Sequence, residues 1–277
     1  MKLYKTDKGI VAELNGNYQL GSATSWDEFI NRDNAFASIS ADIKKWPTIS
    51  ADTFKTYKIL APIGQQEIWA AGVTYLRSRD ARMEESKDAG GGSFYDKVYA
   101  ADRPEIFFKA TAHRVVATNE KVRIRKDSTW NVPEPELTLF INSSGKINGY
   151  TIGNDMSSRS IEGENPLYLP QAKSYDGSAA LGPCIYFPEQ PISPDSEITI
   201  EIRRSNKIVF NGNIAINRMK RGHEELAGFL FRECSFPYGC FLMTGTGIVP
   251  PNEFTLLSGD DISIKIDHIG TLVNVVE

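Results

Sequence analysis

From Tyr57 onward the chain is written mainly in short runs of strand-type residues separated by turns, and that texture limits the folds open to it. Ile106-Phe107-Phe108, Val122 to Arg125, Leu137 to Ile141, Ile198 to Ile202, Lys207 to Phe210 and Ile262 to Ile266 are the clearest of them. Many alternate polar and apolar residues, as a strand does when one face meets a core and the other meets water. A doubly wound parallel sheet would need a helix-sized crossover after nearly every strand. Only Arg218 to Phe231 reads as a clear helix in this part of the chain. The predicted class is α+β, mainly β: a mixed sandwich, roll or distorted barrel. Residues 1–60 are predicted to form a small leading α/β module, and residues 61–277 the unit that carries chemistry. Within the module, Lys2 to Leu20 holds strand-like runs broken at Asp7-Lys8-Gly9 and at Asn15-Gly16, a two-residue hairpin signal. Trp26 to Trp46 is predicted as a helix that Lys45-Trp46-Pro47 stops.

Charge removes several functions. With 31 basic and 35 acidic residues the net charge is −4, without the basic footprint of a nucleic-acid binder. An anionic small molecule must then be held by a few local cations or a metal. The first eight residues are interrupted by charge and do not read as a secretory signal. No apolar run approaches the ~18–20 residues that span a bilayer. Cys184, Cys234 and Cys240 are odd in number and lack Cys-x-x-Cys spacing, against both a disulfide framework and a zinc site. The expectation is a cytoplasmic protein with neither nucleic-acid nor membrane partners. Arg77 to Asp88, densely charged and running into Gly90-Gly91-Gly92-Ser93, reads either as a solvated helix and loop or as a hinged lid.

The chemistry concentrates between Val132 and Asp155. Side chains of a strand alternate faces, so Glu134 and Glu136 project to one side. Asn142-Ser143-Ser144-Gly145-Lys146 is turn chemistry between two apolar runs. A hairpin centred between Ser144 and Gly145 places Asp155 opposite Glu134 by counting. Three crowded carboxylates repel unless a cation neutralises them. Oxygen-only ligands favour Mg²⁺, with Mn²⁺ or Ca²⁺ as alternatives, and exclude zinc as first choice. The other reading of the same residues is a solvated face with Asp155 capping a turn.

At these residues the sequence resembles the fumarylacetoacetate hydrolase superfamily. Glu134-Pro135-Glu136-Leu137 is similar to its metal-binding E-x-E-L strand, and Gly149 to Arg159 to its G-Y-T-x-x-N-D-V-S-A-R segment. Lys173-Ser-Tyr-Asp176 with Leu181-Gly182-Pro183, Thr244-Gly-Thr-Gly247, Gly259-Asp260 and Ile269 to Leu272 follow in the family's order. The likeness covers roughly residues 60–277. It implies a β-rich roll, a metal on Glu134, Glu136 and Asp155, an α-keto acid substrate, and a homodimer or dimer of dimers.

One departure bears on the reaction. Hydrolases of the family carry Y-x-x-H after a glycine, whereas Gly72-Val-Thr-Tyr75-Leu-Arg-Ser78 has Ser78 in the histidine position. His113, His223 and His268 stand elsewhere in the sequence. Tyr95 to Tyr99, Arg103 to Lys109 and Glu164 to Pro170 resemble the 2-keto-3-deoxy-D-arabinonate dehydratase-like, sugar-acid branch. That resemblance implies a Mg²⁺-dependent lyase that removes water from a 2-keto-3-deoxy sugar acid. Glu105 is then the candidate acid or base, sharing a strand face with Lys109, and Lys173 binds substrate oxygens or moves a proton. Thr246, Tyr75 and Ser157 are further candidates for substrate binding. The alternative is a hydrolase or decarboxylase acting on an acylpyruvate or oxaloacetate.

Overall fold

The computed structural model describes residues 1–21, 25–85 and 92–277. Two sheets face each other. The larger has eleven strands. Its main path runs Thr48–Ile49, Asn17–Gly21, Gly9–Leu14, Lys2–Thr6, Ala179–Tyr186, Ile147–Asp155, Pro135–Ile141, Cys240–Met243, Glu67–Gly72, Glu105–Thr111. The smaller sheet orders Lys207–Ala215, Glu197–Arg204, Asp261–Ile266, Gly270–Val276 and Lys121–Val122. Mainly β is the class observed, as the alternating runs require.

The strand Pro135–Ile141 is buried along its whole length, because both faces of the large sheet are covered. Leu137, Leu139 and Ile141 pack with Ile198, Ile200, Ile202, Ile262 and Ile264 of the smaller sheet in one apolar cluster. On the opposite face Phe140, Phe241, Met243 and Leu181 join a second cluster with Trp26, Phe29 and Ile39. Glu134, Glu136 and Thr138 belong by alternation to this second face.

The strands of residues 1–21 enter the large sheet through Leu3 pairing with Ile185. Asn15 and Gly16 both take positive φ, 52° and 77°, and make the two-residue turn expected there. Three other expectations are corrected. Trp26–Trp46 is two helices, Trp26–Ile30 and Ala35–Ile43, broken at Asn31 to Asn34. The break has a partner: the Asn142 amide donates to Arg32 O and Asp33, and Ser143 N–H donates to Asn31 Oδ1, so the segment clasps the central hairpin turn. The late helix is confined to His223–Leu230, because Lys220 N–H is spent on Thr74 O and Met219 bridges Tyr75. Of Val122 to Arg125 only Val122 lies in a strand, and Arg123 N–H turns to Gly177 O. Among the described residues no helix is long and apolar enough to cross a membrane.

Candidate metal centre and active site

The central hairpin brings the carboxylates together. Glu134 and Asp155 exchange both backbone hydrogen bonds, at 3.2 and 3.0 Å, so they are directly opposed. Glu136 pairs with Gly153, where the missing side chain leaves room, since an added Cβ would meet Thr138 Oγ1 at 2.3 Å. The turn itself closes on Asn142 and Lys146, centred on Ser144, and a register shift between Phe140 and Ile141 restores the expected count toward Glu134. Glu134, Glu136 and Asp155 each offer one oxygen within 4.8 Å of the others. All three are buried.

Basic side chains surround two of the three. Lys173 Nζ lies 2.7 Å from Glu134 Oε2, 3.2 Å from Asp155 Oδ2 and 2.5 Å from Ser157 Oγ. Arg159 donates to Glu134 Oε1 at 2.6 Å. Lys109 Nζ stands 2.6 Å from Asp155 Oδ1 as an ion-pair contact and donates to Met156 O and Lys173 O. Glu136 has no ion pair among the described residues; its contact is the Gly245 N–H, 2.6 Å from Oε2. Burial and then the neighbouring Asp155 and Glu134 carboxylates push the Glu136 carboxyl well above the usual range. Glu134 is raised as well, first by burial, with Lys173 opposing. Lys173 is itself raised: burial disfavours its charge, but Asp155, Glu134 and Glu162 together outweigh it.

These residues fit a hard divalent cation. The donors are all oxygens, the spacing is close to what an ion binding oxygens at about 2.0–2.6 Å sets, and Glu136 has no ion-pair partner among the described residues. Carboxylates buried and crowded in this way are costly unless a cation meets them.

The pocket in front of the three carboxylates is lined by Lys173, Arg159, Arg82, Ser78, Phe107 and Thr246 among others. Gly72 lies on its wall against Glu105, since an added Cβ there would stand 2.0 Å from Glu105 Oε2. That oxygen is buried without a hydrogen bond, and burial raises the Glu105 carboxyl, with Arg82 opposing. Val73, also lining the pocket, has φ 55°, a conformation a β-branched residue adopts only under constraint. The constraint is visible next door, where Thr74 Oγ1 donates to Thr244 O at 2.7 Å and joins the two loops of the wall.

The structure sorts the remaining candidates by place. Lys173 and Thr246 line the pocket, and Thr246 Oγ1 is hydrogen-bonded within its own loop to Ile248. Lys109 lies behind Asp155, on an irregular stretch of the strand between Phe108 and Ala110. Ser157 stands behind Lys173 and donates to Asp155 O at 3.1 Å. Tyr75 packs against Gly247 outside the lining residues, its hydroxyl buried without a hydrogen-bond partner among the described residues. Sequence reasoning missed Arg82, Arg159 and Glu162. The i, i+3 pair Arg159 and Glu162 directly after the Asp155 strand was the available signal. Arg82 sits on the helix Leu76–Glu85, inside the segment read as a lid; the Gly90-Gly91 part of that reading falls outside the described residues.

Comparison with known proteins gives a consistent result. The family described as Fumarylacetoacetate (FAA) hydrolase C-terminal matches residues 68–277. A 2-dehydro-3-deoxy-D-arabinonate dehydratase of Saccharolobus solfataricus is 44% identical over 222 residues, 79% of this chain and 74% of that protein. A probable 2-keto-3-deoxyxylonate dehydratase of Haloferax volcanii is 43% identical over 239 residues, 86% of this chain and 81% of that protein. Among solved structures, 2-keto-3-deoxy-D-arabinonate dehydratase complexed with magnesium and 2,5-dioxopentanoate superposes with a TM-score of 0.85 at 34% identity, covering 100% of this chain and 99% of the other.

Proposed function

Since the chain belongs to the fumarylacetoacetate hydrolase family, we propose that it is a Mg²⁺-dependent hydro-lyase acting on a 2-keto-3-deoxy sugar acid. The reaction is of the kind that converts 2-keto-3-deoxy-D-arabinonate into 2,5-dioxopentanoate. One observation carries the reading: the all-oxygen cluster Glu134, Glu136 and Asp155 shares a pocket with Lys173, while no described lining residue is a histidine. Dehydration needs no activated water, so Ser78 in place of a histidine is no handicap to it.

A divalent ion would be held by Glu134, Glu136 and Asp155 and would supply Lewis acidity to the α-keto acid, making its C3 proton easier to remove. The rest falls to the chain. Lys173, held charged by three carboxylates, donates to the substrate's keto or carboxylate oxygens. Glu105, its carboxyl raised by burial, takes the C3 proton in this scheme and returns it to the departing C4 hydroxyl. The C3–H and C4–O bonds break, a C3–C4 double bond forms, and the proton leaves in water. Tautomerisation of the allylic C5 alcohol then gives the aldehyde. Ser157 and Lys109 hold Lys173 and Asp155 from behind, and Thr246 presents backbone to the substrate carboxylate.

The reading extends to residues 1–60 as a leading module and 61–277 as the catalytic unit, supported by the family match over 68–277. It also includes a cytoplasmic location and a homodimer or dimer of dimers, for which light scattering is the direct measurement. The central test is turnover of 2-keto-3-deoxypentonate, followed as aldehyde formation. EDTA is expected to abolish it, added Mg²⁺ to restore it, and Asp155→Ala to lose it with the fold retained. Full activity in EDTA would refute the scheme.

A further inference from the structure

Two loops of the pocket wall leave neighbouring parallel strands, in which Met243 pairs with Ala70. The chain therefore emerges from both strands side by side, and this brings Thr74 to Thr244, 170 positions apart in sequence. Thr74 Oγ1 donates to Thr244 O at 2.7 Å. That carbonyl and the Gly245 N–H are the two ends of one planar peptide group. The N–H end donates to Glu136 Oε2 at 2.6 Å. A buried hydroxyl is thus joined to a clustered carboxylate through a single peptide. Thr244 is held from the strand side as well, since its N–H and its Oγ1 both donate to Leu137 O, at 3.0 and 2.8 Å. Gly245 takes φ 92°, and a Cβ there would stand 2.1 Å from Thr74 Oγ1, so this approach requires glycine. Thr74 is buried and stands outside the lining residues, between Val73 at φ 55° and a backbone bond from Lys220 N–H to its own carbonyl at 2.9 Å.

Resting on the reading of Glu134, Glu136 and Asp155 as metal ligands, we propose that Thr74 is a positioning residue for Glu136, acting through the peptide between Thr244 and Gly245. A hydroxyl that donates to the carbonyl end draws electron density toward that oxygen. The N–H at the other end becomes a stronger donor, because consecutive hydrogen bonds polarise one another in a buried setting. Glu134 and Asp155 are oriented by charged side chains, Arg159, Lys173 and Lys109. For Glu136 the corresponding contact among the described residues is this peptide. The peptide holds the carboxylate by one oxygen where its ligand atom lies within 4.8 Å of those of Glu134 and Asp155. A ligand fixed in this way loses less freedom when a cation binds, so the affinity of the whole cluster depends on the Thr74 hydroxyl. The strained backbone at Val73 serves the same end, since it delivers Thr74 to the Thr244 carbonyl.

The test is calorimetric titration of the metal-free enzyme with Mg²⁺ and, separately, with Mn²⁺, in the absence of substrate. Thr74→Val keeps the side-chain shape and replaces the hydroxyl by a methyl group. It is expected to weaken both ions by about 10–100-fold, the loss typical when a hydrogen-bonding partner of a metal ligand is removed. Thr74→Ser keeps the hydroxyl and is expected to bind both ions nearly as wild type does. If Thr74→Val does not fold, Thr74→Ala against Thr74→Ser decides the matter, because these two differ by the hydroxyl alone. A merely structural role would lower the melting temperature of the metal-free enzyme and leave the dissociation constants where they were. Wild-type dissociation constants in Thr74→Val, or equal ones in Thr74→Ala and Thr74→Ser, would overturn the proposal while the metal reading stands. A wild-type enzyme that binds neither ion would instead overturn the metal reading, and the proposal with it.

Discussion

Gly72→Ala displaces Glu105 without removing its carboxyl. Gly72 lacks a left-handed backbone, so alanine fits its conformation. The new Cβ would stand 2.0 Å from Glu105 Oε2 and 2.6 Å from its carboxyl carbon. The oxygen must retreat by about 1.4 Å, the difference between that approach and an ordinary 3.4 Å contact. The obstacle is the end of a flexible side chain, so relief by an off-rotamer χ costs about 0.5–1.5 kcal/mol of stability. Chemistry is far less forgiving. A misplacement of about 1 Å can cost about 10²-fold, and a general acid–base group contributes about 10²–10⁴-fold. The expected loss in kcat is therefore about 10²–10⁴-fold, roughly 3–5 kcal/mol in the barrier. Mg²⁺ affinity should stay near wild type, because the three atoms nearest the new Cβ all belong to Glu105. Steady-state aldehyde formation, a Mg²⁺ titration and a thermal melt measure the three quantities. A Gly72→Ala enzyme with kcat within about threefold of wild type would remove Glu105 from the chemistry, since acid–base catalysis is worth far more than that.

Three further outcomes follow from the same geometry. Lys173→Met leaves Glu134 and Asp155 without their shared ammonium; activity should vanish, and denaturant melts should show a loss of about 3–5 kcal/mol. Glu105 is raised in the fold, so its favourable contribution is complete below the ordinary carboxylate range and is lost as pH rises through the folded value. Glu105→Gln should therefore gain stability relative to wild type as pH increases from about 4 toward neutrality, and parallel pH–stability curves would contradict this. Gly16→Ala places a side chain at φ 77° with nothing within 4 Å, so the penalty is backbone strain alone, about 1–2 kcal/mol, without change in kcat.

Local pattern was enough for the hairpin. Glu134 and Glu136 share a face because strand side chains alternate, and Asp155 faces Glu134 because the turn between Asn142 and Lys146 is short. The two-residue turn at Asn15-Gly16 was legible for the same reason: the residues that set its φ angles are adjacent. Trp26 to Trp46 was not, because its break exists to meet Asn142 and Ser143, more than a hundred residues away. The same holds for the late helix, whose first turn is displaced by backbone pairing with Thr74 and Tyr75.

The division in the site has one physical cause. Residue type and strand period determined that three oxygens could gather on one face, and the family resemblance added Lys173 and Glu105 to them. Which groups stand in front of those oxygens and which stand behind was decided by packing of distant elements. Lys109 reaches Asp155 from behind, whereas Arg82 arrives on the pocket wall from a separate helix. Glu162 meets Arg82 across eighty positions of sequence. No period or spacing encodes such a contact; burial does, because a charge removed from water must find its partner wherever the fold brings one.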